Sequence, residues 1–446
     1  MRSLDETHAC DRKSWVQTAN RDGCEFPIQN LPFGIFSRNG GPTRFGIAIG
    51  DFILDVAAAA DAGLISGAAL AATDLAGIPS LNSILALDPQ VLTALRRQVA
   101  DLLDENGPKK QRALANQQSL LAEQSHCELH LPAQIGDYTD FFAGIHHART
   151  AGANFRPDNP LPLNYKWIPV AYHARASSVV VSGTAVHRPF GQVGSHGGKP
   201  PRYAPSGRLD FELELGFYIG RGNPMGSTIS IANASDHIAG YCLLNDWSAR
   251  DIQRWESVPL GPFLAKSFVT TVSPWVVTSD ALRPFRCSVM KRDSDEPSPL
   301  PYLFDSVDQE TGGLEIELSV LLQTQQMRRD NMPAVALTNS NAKYLYWTPA
   351  QMVAHHASGG CNLRSGDLIG SGTISGPAES QRGSLLELTA GGKKTIELPN
   401  GEVRGFLEDG DEITFSATCR RDGFASIGFG ICVGRILPAA TRALSD

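Results

Sequence analysis

From about Leu131 onward the chain breaks into short β-branched runs, such as Ser178-Val179-Val180-Val181-Ser182 and Thr270-Thr271-Val272, closed off by glycine or proline. Punctuation of this kind keeps strands short and leaves few long amphipathic periods. The stretch is therefore predicted to form a large, mostly β domain with helices around it. The composition agrees, because 43 glycines and 28 prolines, many of them in this region, supply the turns that numerous short strands need. No motif recurs at a fixed period of roughly 20–50 residues, which disfavours solenoids and propellers.

The preceding residues read differently. Residues 1–24 form a polar leader without a continuous apolar stretch, expected to be poorly ordered. Phe26-Pro27-Ile28-Gln29-Asn30-Leu31-Pro32-Phe33-Gly34-Ile35-Phe36 and Arg44–Asp55 then set short apolar runs between Gly and Pro, predicting strands of a small β-unit with tight turns. From about Val56 to Gln124, Ala and Leu recur at helical spacing, as at Leu92, Leu95, Val99, Leu102 and Leu103, so several helices are expected, interrupted at Gly107-Pro108. The boundary falls near residue 130, giving an N-terminal unit over 25–130 and a larger domain over 131–446.

Charge and motif content remove several function classes. The formal charge is −7 and no run of five basic residues occurs, so nucleic acid is not an expected partner. No window reaches the roughly 18 apolar residues of a membrane span, and a soluble, cytoplasmic chain with no membrane partner is expected. The eight cysteines never form a C-x-x-C pair and read as reduced thiols, mostly in cores, rather than as a zinc ribbon or redox motif. Gly197-Gly198-Lys199-Pro200 puts proline where a phosphate-binding loop needs Ser or Thr. Neither a G-x-G-x-x-G between strand and helix nor a G-x-S-x-G elbow is present.

What remains is a set of carboxylates. In Leu209-Asp210-Phe211-Glu212-Leu213-Glu214-Leu215-Gly216-Phe217, strand alternation puts Glu212 and Glu214 on one face and Phe211, Leu213 and Leu215 on the other. Such a pair can grip one cation or simply decorate a solvated face. Leu314-Glu315-Ile316-Glu317-Leu318 repeats the pattern, so alternation alone does not choose. The neighbourhood adds three dense blocks: Gly136–Ala148 with Asp140, His146 and His147, continuing to Arg156; Leu244–Gln253 followed by Gly261–Phe268; and Gly370-Ser371-Gly372-Thr373-Ile374-Ser375-Gly376, ending in Leu386-Glu387. Hard oxygen ligands without Cys or clustered His favour Mg²⁺ or Ca²⁺ over zinc or copper.

These blocks, with Tyr172-His173-Ala174-Arg175-Ala176-Ser177-Ser178, Asp246-Trp247-Ser248-Ala249-Arg250-Asp251-Ile252-Gln253 and the Gly-Phe-Gly at Gly428, resemble the fumarylacetoacetase family, hydrolases that end tyrosine and phenylalanine breakdown. The likeness begins at Phe26 and spans most of the chain. It implies a mixed α+β, mainly β fold: a small N-terminal SH3-like β domain (a small β-barrel) with helices, and a large C-terminal β-rich catalytic domain of mixed β-roll type. It places a divalent metal, Mg²⁺ or Ca²⁺, on Asp140, Glu212, Glu214 and Asp246, with further metal-site contacts at Lys266 and Thr270. It assigns the catalytic base to His147 rather than His146, and the carboxylate that orients it to Glu387.

The same resemblance gives Arg250, Gln253 and Lys266 the stabilisation of a developing oxyanion, and gives Arg156, Tyr172, Gln253 and Thr373 to the substrate. Phe142 and Ser257 stand at substrate-contacting positions where the family usually has tyrosine, which implies a larger, less polar pocket. The expected reaction is hydrolysis of a C–C bond in a small diketo acid, with 4-fumarylacetoacetate the favoured substrate. A relative acting on another acylpyruvate or diketone, or a decarboxylating relative on the same fold, is the alternative. The family implies a homodimer.

Overall fold

The computed structural model describes residues 4–440 except 76, 78, 156–157 and 195–198. Five antiparallel strands organise the N-terminal unit, in the order Leu121–Glu123, Phe52–Asp55, Arg44–Ile49, Phe33–Arg38, Cys127–His130. The helices that join Phe52–Asp55 to Leu121–Glu123 pack against this sheet. The longest, Pro89–Leu103, starts where the Asp88 side chain accepts from the Gln90 amide and proline occupies the first turn. It buries Leu95, Val99, Leu102 and Leu103, as the spacing predicts, and the helix gives way across Gly107-Pro108 before the next one, Lys110–Ala115.

The leader differs from expectation. Instead of being poorly ordered, residues 4–24 lie against the end of that helix, with Trp15 and Val16 buried. Helix ends leave carbonyls without partners, and the leader supplies donors: Ser14 Oγ to Leu103 O at 2.8 Å and Trp15 Nε1 to Leu102 O at 2.8 Å. Arg12 adds ion pairs to Asp101 and Asp104 at 2.6 and 2.7 Å. Its polarity serves tertiary hydrogen bonds, which a composition argument does not see.

The larger part holds two stacked sheets. One runs Ala171–Ala174, Tyr138–Phe141, Leu368–Gly370, Leu213–Ile219, Ile238–Asp246, Thr270–Val272, Val179–Val181, mixing parallel and antiparallel pairs. The other runs Val335–Asn341, Glu317–Gln323, Glu412–Cys419, Ile427–Leu437, Val186–His187. Phe211, Trp247, Phe415 and Phe429 join them in one core. A second core joins the N-terminal helices to the first sheet through Tyr138, Tyr218, Leu244 and Leu368. Among the described residues no helix is long and apolar enough to cross a membrane.

Asp308, in the helix Ser306–Thr311, is buried and accepts from Thr348 Oγ1 at 3.1 Å on each oxygen. Burial pushes its carboxyl up to about 6. The folded chain thus holds this proton more tightly than the unfolded one, where an aspartate ionises near 3.9. The residue's contribution to stability is fully present below about pH 4 and is lost as pH rises to about 6. Asp308→Asn keeps the acceptor and removes the ionisation. It should exceed the parent by about 3 kcal/mol at pH 7.5 and match it near pH 4. Urea unfolding at the two pH values measures this, and a difference independent of pH would contradict it.

Candidate metal centre and active site

Sheet register builds the site. Asp140 is the direct neighbour of Gly370, Gly216 pairs with Gly370 from the other side, Leu213 with Asn245, and Asp246 with Thr270. Asp140, Glu214 and Asp246 consequently reach the same end of adjacent strands. Gly370 is the bare position between the first two, since a Cβ there would stand 2.4 Å from Asp140 Oδ1 and 3.1 Å from Glu214 Oε2. Glu212 joins them where the strand is interrupted, between Leu209–Asp210 and Leu213–Ile219. Of the two readings that alternation left open, the solvated face is excluded, because the segment is buried on both faces from Leu209 to Gly220.

Ligand oxygens of Asp140, Glu212, Glu214 and Asp246 lie within 4.8 Å of one another, and all four residues are buried. Asp140 Oδ1 and Glu214 Oε1 have no hydrogen-bond partner. Burial, then repulsion from the other carboxylates, drives the pKa of Asp140 and Glu214 well above the ordinary carboxyl range. Burial acts the same way on Asp246, with Lys266 opposing it. Glu212 is the exception. There the desolvation of burial is outweighed by Lys266 and Arg250, which hold the acid below its usual value. Converging hard oxygens, two of them buried without a hydrogen-bond partner, fit a divalent cation.

The two further metal-site residues are placed differently. Lys266, on Leu264–Ser267, sets its ammonium 2.6 Å from Glu212 Oε2 and 2.5 Å from Asp246 Oδ2. Burial alone would strip its proton, but Asp246 and Glu212 outweigh that and keep it charged. An ammonium has no lone pair for a cation, so Lys266 joins the centre by bridging two of the clustered carboxylates. Thr270 Oγ1 stands 3.4 Å from Asp246 Oδ1. Tyr172 faces Asp140 across the strand pair, and its hydroxyl donates to Asp246 Oδ2 at 2.9 Å. This ties the tyrosine to one of the clustered carboxylates.

Beside this centre, His147 on Ile145–Phe155 meets Glu387 with Nδ1 2.7 Å from Oε2. Ser375 and Ser384 donate to that oxygen at 2.8 and 3.0 Å. Burial raises the Glu387 carboxyl, but His147, then the Ser375 hydroxyl and Arg382, more than offset it, so its pKa lies below the ordinary value. Both residues are buried. His146 instead packs edge-on against Tyr344 at 6.0 Å. Phe142 lies edge-on to His147 with centroids 5.4 Å apart.

Arg250 opens the helix Arg250–Glu256 and donates from Nη1 to Gln253 Oε1 at 3.1 Å, while the same nitrogen pairs with Glu212 at 2.7 Å. Its Nη2 is buried without a partner, as is Thr373 Oγ1. Gly372, next to Thr373, has φ +75°, and a Cβ there would stand 2.2 Å from Phe141 O; only glycine brings this loop against the strand of Asp140. Ser257 ends the helix with its hydroxyl donating to Gln253 O. Arg156 lies outside the described residues. Sequence reasoning gave no role to Asp210, Ser375 or Ser384, and no spacing rule points to them.

A cation held by carboxylates, next to a histidine able to strip a proton from water, is the equipment of a metal-dependent hydrolase. Comparison with known proteins narrows the class. Residues 29–132 match the fumarylacetoacetase N-terminal model and residues 138–437 the fumarylacetoacetate (FAA) hydrolase C-terminal model. The chain is 47% identical over 416 residues to a fumarylacetoacetase of Arabidopsis thaliana, covering 93% of this chain and 96% of that one. It is 47% identical over 418 residues to the Homo sapiens enzyme (93% and 97%) and 47% over 433 residues to that of Caenorhabditis elegans (96% and 99%). The chain belongs to the fumarylacetoacetase family, and is accordingly a hydrolase of carbon–carbon bonds.

Proposed function

We propose that the chain hydrolyses 4-fumarylacetoacetate to fumarate and acetoacetate, with Asp140, Glu212, Glu214 and Asp246 holding Mg²⁺ or Ca²⁺. The reading rests on the four buried carboxylates standing beside the His147–Glu387 pair. A divalent cation so held would polarise the diketone oxygens and stabilise the enolate that leaves.

The chain's own groups do the rest. Glu387 fixes Nδ1 of His147 as the protonated nitrogen, leaving Nε2 to take a proton from water. The hydroxide oxygen bonds to the carbonyl carbon and the C–C bond breaks. Its electron pair stays on the departing carbon, which is then protonated. Arg250 Nη2 and Thr373 Oγ1, buried and unpartnered, are donors free for substrate oxygens. Gln253, oriented through its amide oxygen by Arg250, and the charged Lys266 complete the oxyanion side. Tyr172, Phe142 and Ser257 contact the substrate, and the family resemblance gives Arg156 the same role. Residues 25–130 form the N-terminal unit and 131–446 the catalytic domain, in a cytoplasmic homodimer.

Purified protein supplied with Mg²⁺ or Ca²⁺ should remove the diketone absorbance of fumarylacetoacetate. No loss on this substrate, with turnover of another acylpyruvate, would establish the rival reading. The missing tyrosine hydroxyl at Phe142 gives a second test. A hydrogen bond is worth about 0.5–1.5 kcal/mol, so Phe142→Tyr should lower KM for fumarylacetoacetate about two- to tenfold with kcat little changed. An unchanged or raised KM would remove Phe142 from the substrate pocket.

A further inference from the structure

Asp210 is fully buried, two residues before Glu212, and belongs neither to the carboxylate cluster nor to the His147–Glu387 pair. Both its oxygens are committed. Oδ1 accepts from the Leu385 amide at 2.7 Å, and Oδ2 accepts from the Leu386 amide at 2.9 Å and from Arg250 Nε at 2.8 Å. Leu385 and Leu386 immediately precede Glu387, the partner of His147. Arg250, through its other nitrogens, meets Glu212 and Gln253. One carboxylate therefore ties the segment that presents Glu387 to the guanidinium on the opposite side of the site.

We propose that Asp210 is a positioning residue for the hydrolysis, setting the water-activating pair His147–Glu387 in register with the donors Arg250 and Gln253. This rests on the functional reading above. Three donors converge on Asp210, and a carboxylate suits them because it only accepts and offers about four lone-pair sites. An asparagine offers one acceptor and turns an NH₂ towards donors. The guanidinium offsets the cost of burying the charge, and the two amides spend what acceptor capacity remains on holding the Glu387 segment. A displacement of about 1 Å at such a site can cost about 10² in rate. The consequence of losing Asp210 is thus a rate effect, with substrate and cation binding left in place.

The test compares wild type, Asp210→Asn and Asp210→Glu by Ca²⁺ titration calorimetry, thermal midpoint, and kcat and KM on fumarylacetoacetate per cation-loaded site. Asp210→Asn should lose at least about 30-fold in kcat, with KM and the Ca²⁺ Kd within about threefold of wild type. Asp210→Glu keeps the charge and both acceptors but moves them by a methylene, so it should recover the thermal midpoint and not kcat. A kcat within about threefold of wild type in Asp210→Asn, a loss of Ca²⁺ binding parallel to kcat, or failure of both variants to fold would overturn the proposal and leave Asp210 a stabilising ion pair. Wild-type protein inactive in the same assay would overturn the functional reading itself, and this inference with it.

Discussion

His147→Ala should lower kcat on fumarylacetoacetate by about 10²–10⁴-fold, the usual contribution of a positioned general base, while cation affinity stays unchanged. The separation follows from geometry. His147 is bonded to Glu387, which Ser375 and Ser384 hold in turn, and it is not among the four clustered carboxylates. Removing the imidazole takes away the proton acceptor and leaves every candidate cation ligand in place. It also leaves Glu387 buried with fewer partners, so a modest loss of stability should accompany the loss of rate. His146→Ala is the control and should keep most of the activity, because that ring packs on Tyr344. Rapid-mixing kinetics with calorimetric titration of Ca²⁺ measures both quantities, and undiminished kcat in His147→Ala would remove it from water activation.

Glu214→Gln has the second large effect, with opposite signs in its two parts. Burial and repulsion from Asp140 and Asp246 hold Glu214 well above the ordinary carboxyl range, so the cation-free site strains against its own charge. Replacing one carboxylate relieves this, and the cation-free thermal midpoint should stay level or rise. Cation affinity should fall by more than the 10–100-fold typical of substitutions behind a ligand. At a concentration about 100 times the parent Kd, the parent gains about 2.7 kcal/mol from the cation. A variant binding about 100-fold more weakly gains only about 0.4 kcal/mol, so its midpoint barely responds. Because cation uptake displaces protons from Asp140 and Glu214, parent affinity should fall with falling pH. A cation-induced shift that survives Glu214→Gln intact would remove Glu214 from the ligand set.

The four clustered carboxylates and the His147–Glu387 pair are residues that the sequence singles out, because carboxylates, an imidazole and glycines crowd into a few short blocks and those blocks resemble one family. Alternation alone could not separate Glu212 and Glu214 from their double. In the fold Glu315 and Glu317 keep side-chain exposures of 39% and 54% and pair with Lys343 and Arg420 at the surface. The first pair is distinguished by what other strands bring to it, Asp140 through one register and Asp246 through another. Asp210 was illegible for the same reason, its partners at residues 250, 385 and 386 being far away in sequence. The leader misled because polarity resembles disorder until the carbonyls of Leu102 and Leu103 are seen to need donors. Helix periodicity in the N-terminal unit depends only on neighbours along the chain, and there the sequence pattern and the structure agree.

Proton NMR of the products tests most directly whether a C–C bond is hydrolysed at a carboxylate-held cation. Protein stripped with EDTA should leave fumarylacetoacetate intact. After Mg²⁺ or Ca²⁺ is restored, the same sample should give fumarate and acetoacetate in equal amounts. Undiminished turnover by the stripped protein, or products other than this pair, would contradict it.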